Sequence, residues 1–144
     1  MRLWHYKLIP YLPKSQLLAQ WRELNSIFKK QDKHILINYI YEYPKIDLYH
    51  YTEIVITEME KRRFKISVKA KENANNYFKD FPLMYGVNGF NGIPFKNHHN
   101  FRYLKQCFYN LEEKYDRGQK DFTKEEYDAL NQFMNEELMK EESF

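Results

Sequence analysis

From Leu17 the apolar positions run Leu17, Leu18, Trp21, Leu24, Ile27 and Phe28, a spacing of three and four residues that predicts an amphipathic helix. Pro13 opens it, because proline's fixed φ suits a first helical turn and its missing N–H is no loss there. Arg22 and Glu23 fall beside the Trp21–Leu24 seam, so both are expected at the helix surface, near whatever the preceding segment packs against. That segment, residues 1–12, mixes polar and apolar positions around Pro10 and reads as an ordered, extended arm. Beyond the first helix, Asp32 is a candidate N-cap for a shorter helix that reaches about Tyr41 and is stopped by Pro44. Its Ile35, Leu36, Ile37, Tyr39 and Ile40 suit a short strand equally well.

Asp47 can cap a third helix reaching about Arg63, with Leu48, Tyr51, Ile54, Val55 and Met59 inward. Its end carries Lys61, Arg62, Arg63 and Lys65. Cations there favour the helix dipole, and phosphate contact is the equal alternative. A helix over 69–81 comes next, followed by Pro82. Residues 83–97 hold Gly86, Gly89 and Gly92 among Tyr85, Asn88, Phe90 and Asn91. The pattern G-x-x-G-x-x-G, with no lysine–serine pair behind it and no strand before it, is neither a P-loop nor a dinucleotide fingerprint. A loop of that length is often functional, and its aromatics either stack on bases or pack onto the body. Phe101, Leu104, Phe108, Leu111 and Tyr115 predict a further helix closed by Gly118 at C′. Thr123-Lys124-Glu125-Glu126 is a capping box for a last helix through Tyr127, Leu130, Met134 and Leu138, and residues 119–144 form an acidic C-terminal segment.

A chain of 144 residues suits one domain, spanning 1–144. With only 4 Gly and 5 Pro it lacks the turn formers of an all-β fold, so the expected class is all-α. Most of the 13 Tyr, 11 Phe and 2 Trp are expected in the core. Apolar runs are far shorter than the ~20 residues of a spanning helix, so no membrane segment is expected. The start Met1-Arg2-Leu3-Trp4-His5 has neither an apolar stretch nor a small-residue cleavage site. Cys107 is the only cysteine, which excludes an internal disulfide and a cysteine-built zinc site and fits a reducing, cytoplasmic setting. It reads as a small core residue.

The net charge of +3 is unevenly spread. Residues 1–100 carry 16 Lys and Arg against 9 Asp and Glu, whereas 101–144 carry 7 against 11. A basic body with an acidic end raises a nucleic-acid hypothesis, although solvated helix faces produce similar imbalances. His5, His34, His50, His98 and His99 offer no i, i+4 pair for a metal, and Ser15, Ser26, Ser67 and Ser143 have no nucleophile-elbow context. Neither a metal nor a cofactor is expected.

The stretch Leu8–Leu24, LIPYLPKSQLLAQWREL, resembles the start of the pyrimidine-dimer DNA glycosylases of the phage endonuclease V type. It aligns without a gap from the first residue, with Leu8, Leu12, Leu17, Ala19, Arg22, Glu23 and Leu24 matching and an aromatic at Trp21. The M-R-L-W-H start, L-I-P-x-L-P and Q-x-R-E are similar to a bacterial branch of that family. Met59–Ile66, MEKRRFKI, is a weaker echo of the family's basic helix end. The resemblance implies a compact all-α single domain with its N-terminal arm packed against the first long helix. It also implies a mechanism. An N-terminal α-amine attacks C1′ of a damaged nucleotide and forms a Schiff base, a glutamate in the column of Glu23 assists, and β-elimination nicks the strand. In the phage enzymes the nucleophile is a threonine in the column of Arg2, exposed by methionine removal. Arg2 is too large for ready removal of Met1, so the free amine here would be that of Met1. Leu3 stands where the phage enzymes carry a DNA-contacting arginine.

The expected site is therefore Met1 and Glu23 for catalysis, with Arg2, Arg22, Arg62 and Arg63 for nucleic-acid contact. The expected partner is double-stranded DNA with damaged or abasic sites, bound by a monomer. Two alternatives stand beside this one. The first is a non-catalytic nucleic-acid-binding module on the same fold. The second is a helical protein-interaction domain whose acidic end, with Glu125, Glu126, Glu136, Glu137, Glu141 and Glu142, meets a basic partner.

Overall fold

The Leu17 stripe forms α1, Lys14–Lys30, in the computed structural model, which describes residues 2–79 and 92–142. Leu17, Trp21, Leu24, Ile27 and Phe28 are buried, as their spacing requires. The remaining α-helices are α2 (Lys45–Lys61), α3 (Val68–Tyr77), α4 (Phe101–Asp116) and α5 (Lys124–Glu142). No strand occurs among the described residues, and the fold is an all-α single domain. Met1, the glycine-rich stretch through Gly86 and Gly89, and the last two residues lie outside the described residues.

Two of the predicted helix ends are present. Gly118, at φ 83°, closes α4, its N–H donating to Tyr115 O at 2.9 Å while Gln119 N–H reaches Lys114 O at 3.1 Å. Thr123 and Glu126 exchange the reciprocal bonds of a capping box at 3.0 and 3.1 Å. Other stretches differ from the sequence expectation, the helix expected over 69–81 among them, which ends at Tyr77. Asp32 caps no helix, and residues 32–41 form neither an α-helix nor a strand. A turn at 34–37 leads instead into a 3-10 helix, Asn38–Glu42. Asp32 is drawn into tertiary bonds: its carboxylate accepts a hydrogen bond from the Ser26 hydroxyl, and its carbonyl accepts from Tyr41 Oη. Asp47 lies inside the first turn of α2 rather than at its cap. Its Oδ2 accepts the Phe95 N–H at 2.8 Å, pinning a segment 48 residues away.

The arm is ordered, but it is extended only at its start. Residues 6–11 wind into a 3-10 helix, Tyr6–Tyr11, with Pro10 inside it and the His5 imidazole accepting from Lys7 N–H at its cap. This short helix packs against α2, α4 and α5, while α1 packs on α2 and α3. Leu3, Leu8, Ile9 and Leu12 are fully buried, so the N-terminus is part of the core rather than a strap across it. Burying such side chains contributes about 1.5–3 kcal/mol each. Leu3 is thus a core residue.

Two buried histidines bind the arm to the start of α4. His5 accepts from Lys7 N–H at Nδ1, so its Nε2 carries the proton and donates to His99 O at 2.9 Å. His99 accepts from Tyr6 N–H at Nδ1 and donates from Nε2 to Tyr39 Oη at 2.6 Å. Both rings are neutral and neither has room for a second proton. Burial brings the His5 pKa down to about 4 and pushes that of His99 well below its ordinary value.

Candidate active site and nucleic-acid interface

Glu23 sits on α1 one turn beyond Gln20, and the arm's first residues cross the helix at this turn. Gln20 is the joint. Its Nε2 donates to Arg2 O at 3.1 Å and to Glu23 Oε2 at 3.0 Å. Its Oε1 accepts Trp4 N–H at 2.8 Å and lies 2.9 Å from Tyr51 Oη, whose one proton is shared with Trp4 O at 2.6 Å. Every donor and acceptor of this buried amide is satisfied.

One Gln20 nitrogen thus holds the Arg2 carbonyl and the Glu23 carboxylate together. Half-burial raises the Glu23 pKa above the ordinary glutamate value, and the Gln20 amide and the Arg22 charge pull it back. The carboxylate opens on a pocket of 250 Å³ lined by Arg2, Trp4, Gln16, Leu36, Asn110 and Lys114. Glu23 is the only acidic group among the described residues that line it. The Arg2 guanidinium leans over the Tyr103 ring, 5.8 Å from its centroid, and Tyr103 Oη donates to Leu3 O at 2.5 Å.

Arg22, one residue earlier, points about 100° away around the helix. It lines a separate groove of 470 Å³ between α1 and α3, with Asn25, Lys29, Lys30 and Lys69. No acidic side chain among the described residues lines it, so this groove is a concave strip of positive charge. The fold thus brings Arg2 and Glu23 into one pocket and sends Arg22 into the adjoining groove.

Arg62 joins neither. Its Nε pairs with Glu58 at 2.7 Å, and its two terminal nitrogens donate to Leu12 O at 2.7 Å and Pro10 O at 3.0 Å. The guanidinium clamps the arm onto the end of α2. Arg63 follows at φ 62°, in the left-handed turn that ends the helix, and is exposed. Met1 lies outside the described residues.

Sequence reasoning assigned no role to Gln20, Asn110, Lys114 or the groove lysines. Gln20 carried a signal, as a polar residue three positions after Leu17 on the buried stripe. Asn110 and Lys114 carried none, because nothing local says which face of α4 meets α1.

A family model described as pyrimidine dimer DNA glycosylase matches residues 1–72, half the chain. That span holds the arm, α1, α2 and the start of α3, and with them Gln20, Arg22 and Glu23. Neither the curated proteins nor the solved structures contain a match.

Proposed function

The chain belongs to the pyrimidine dimer DNA glycosylase family, and on that premise we propose that it is a DNA glycosylase and abasic-site lyase acting through the α-amine of Met1. The neutral amine attacks C1′ of the damaged nucleotide, and the glycosidic bond breaks as the base leaves with a proton. The sugar ring opens to a protonated imine between C1′ and the Met1 nitrogen. Removal of a C2′ proton then expels the 3′ phosphate oxygen, the strand is nicked, and hydrolysis of the imine frees the protein. Glu23 moves protons at the sugar and its carboxylate stabilises the cationic imine.

The observation that carries this reading is Gln20, whose Nε2 bonds both the Arg2 carbonyl at 3.1 Å and Glu23 Oε2 at 3.0 Å and so holds the start of the arm beside the carboxylate. A free α-amine has a pKa near 7.7–8.0, so roughly a tenth of it is neutral and nucleophilic at pH 7. The α1–α3 groove supplies cations for the phosphate backbone, with Arg22 nearest to Glu23 in sequence.

Borohydride reduction on duplex DNA bearing an abasic site tests the proposal, because it turns the imine into a stable protein–DNA cross-link. Cross-linking is expected with the free N-terminus and lost on N-terminal acetylation. Lys7, the nearest lysine in the arm, is ion-paired to Glu137 at 3.1 Å. Replacing it should leave the cross-link intact. Trapping that survives acetylation would overturn the assignment of the nucleophile. Salt-dependent binding without any trapping would favour the non-catalytic binding module.

A further inference from the structure

The turn at 34–37 presents two adjacent apolar side chains to solvent, and the second of them, Leu36, lines the Glu23 pocket. Ile35 is 86% exposed and Leu36 43%. Single exposed apolar residues are ordinary, but this pair stands on a turn with its own bracing. Asn38 Oδ1 accepts His34 N–H at 2.7 Å, and His34 Nδ1 accepts Leu36 N–H at 3.1 Å. His34 O receives both Ile37 N–H and Asn38 N–H at 2.8 Å. Fully buried Ile37 and nearly buried Ile40 anchor the turn below. The tip is therefore pre-organised with its apolar groups outward, a conformation that solvent alone does not reward.

Position and charge indicate the occupant. Leu36 forms part of the Glu23 pocket wall with Arg2 and Lys114. Lys33 and His34, which precede the pair, are exposed. An apolar tip between cations, beside a carboxylate proposed to act at a sugar carbon, matches a polyanion with an apolar interior, which is duplex DNA. C1′ in a duplex is shielded by base stacking. Proteins that open a base step commonly insert an aliphatic side chain to replace the lost stacking, against an unstacking cost of a few kcal/mol.

We propose that Ile35, supported by Leu36, is a wedge that enters the base stack beside the target nucleotide and opens it toward Glu23. This rests on the proposed DNA function, but its test reads separately. The probe is a duplex with 2-aminopurine next to an abasic site, together with the abasic strand alone. Wild-type binding should raise 2-aminopurine fluorescence as the step unstacks. Ile35→Ser should suppress that rise and lower the duplex-to-single-strand ratio of nicking rates by about tenfold or more. Ile35→Leu should restore both, which a general defect in folding would not allow.

An unchanged rate ratio and fluorescence rise in Ile35→Ser would overturn the wedge. So would an equal fall on duplex and single strand, because a wedge has no work to do without a stack. If the wild-type protein traps and nicks nothing, the lyase reading fails. The wedge is then decided by fluorescence alone: a rise that Ile35→Ser abolishes supports it, and no rise with bound wild-type protein overturns it.

Discussion

Gln20 Nε2 and Glu23 Oε2 lie 3.0 Å apart on successive turns of α1, and the same Gln20 nitrogen holds the Arg2 carbonyl. One buried amide thus fixes both the carboxylate and the start of the chain. Gln20→Leu is expected to leave Trp4 N–H and Arg2 O without their side-chain partner, at about 1–3 kcal/mol per stranded group. Urea unfolding midpoints measure that loss. Removing the Gln20 donor also takes away a bond that lowers the Glu23 pKa. The acidic limb of the pH–rate profile should move to higher pH, which a purely structural defect would not produce.

Glu23→Gln should keep DNA affinity and lose most nicking. The amide oxygen can still accept from Gln20, but it cannot transfer a proton, and such groups contribute about 10²–10⁴-fold. The same substitution should raise stability above the ordinary glutamate pKa. Burial raises the folded-state pKa of Glu23, so the folded protein binds its proton more tightly than the unfolded chain and loses stability as pH rises through that range. A higher melting temperature at pH 7 combined with lost nicking is the expected signature.

Arg22 and Arg62 should separate cleanly. Arg22→Ala is expected to leave stability nearly unchanged and reduce the log–log salt slope of duplex binding by about 0.9, the value for one phosphate. Arg62→Ala should instead destabilise by about 1–3 kcal/mol, because Pro10 O, Leu12 O and Glu58 lose their partner. Its salt slope should match that of the wild type. Titrating binding against salt alongside urea unfolding distinguishes the two.

Acid should loosen the arm. His5 has a pKa of about 4 in the fold against 6.5 when unfolded. Between these values the unfolded chain binds a proton that the fold excludes, so stability falls as pH drops from about 6.5 to 4. Some 2.5 units correspond to about 3 kcal/mol, and His99 acts in the same direction. His5→Gln, which keeps one donor and one acceptor, should flatten that dependence in unfolding midpoints measured from pH 4 to pH 7.

The spacing of Leu17 to Phe28 determined α1 and which residues it buries, and the Thr123–Glu126 box and Gly118 determined two helix ends. These features rest on bonds and contacts within a few residues, which local sequence carries. Gln20-Trp21-Arg22-Glu23 likewise held the carboxylate and, through the family resemblance, the expected chemistry. Tertiary structure decided what the flanking polar groups do. Asp32 and Asp47 look like helix caps by position, yet Ser26, Tyr41 and Phe95 offer them partners from elsewhere in the chain. Arg62 sits in a basic run suited to phosphate, but the arm's carbonyls at Pro10 and Leu12 take its donors. Lys114 and Leu36 reach Glu23 only because α4 and the 34–37 turn pack beside the arm. Such a juxtaposition depends on how whole elements pack, and no window of neighbouring residues encodes it.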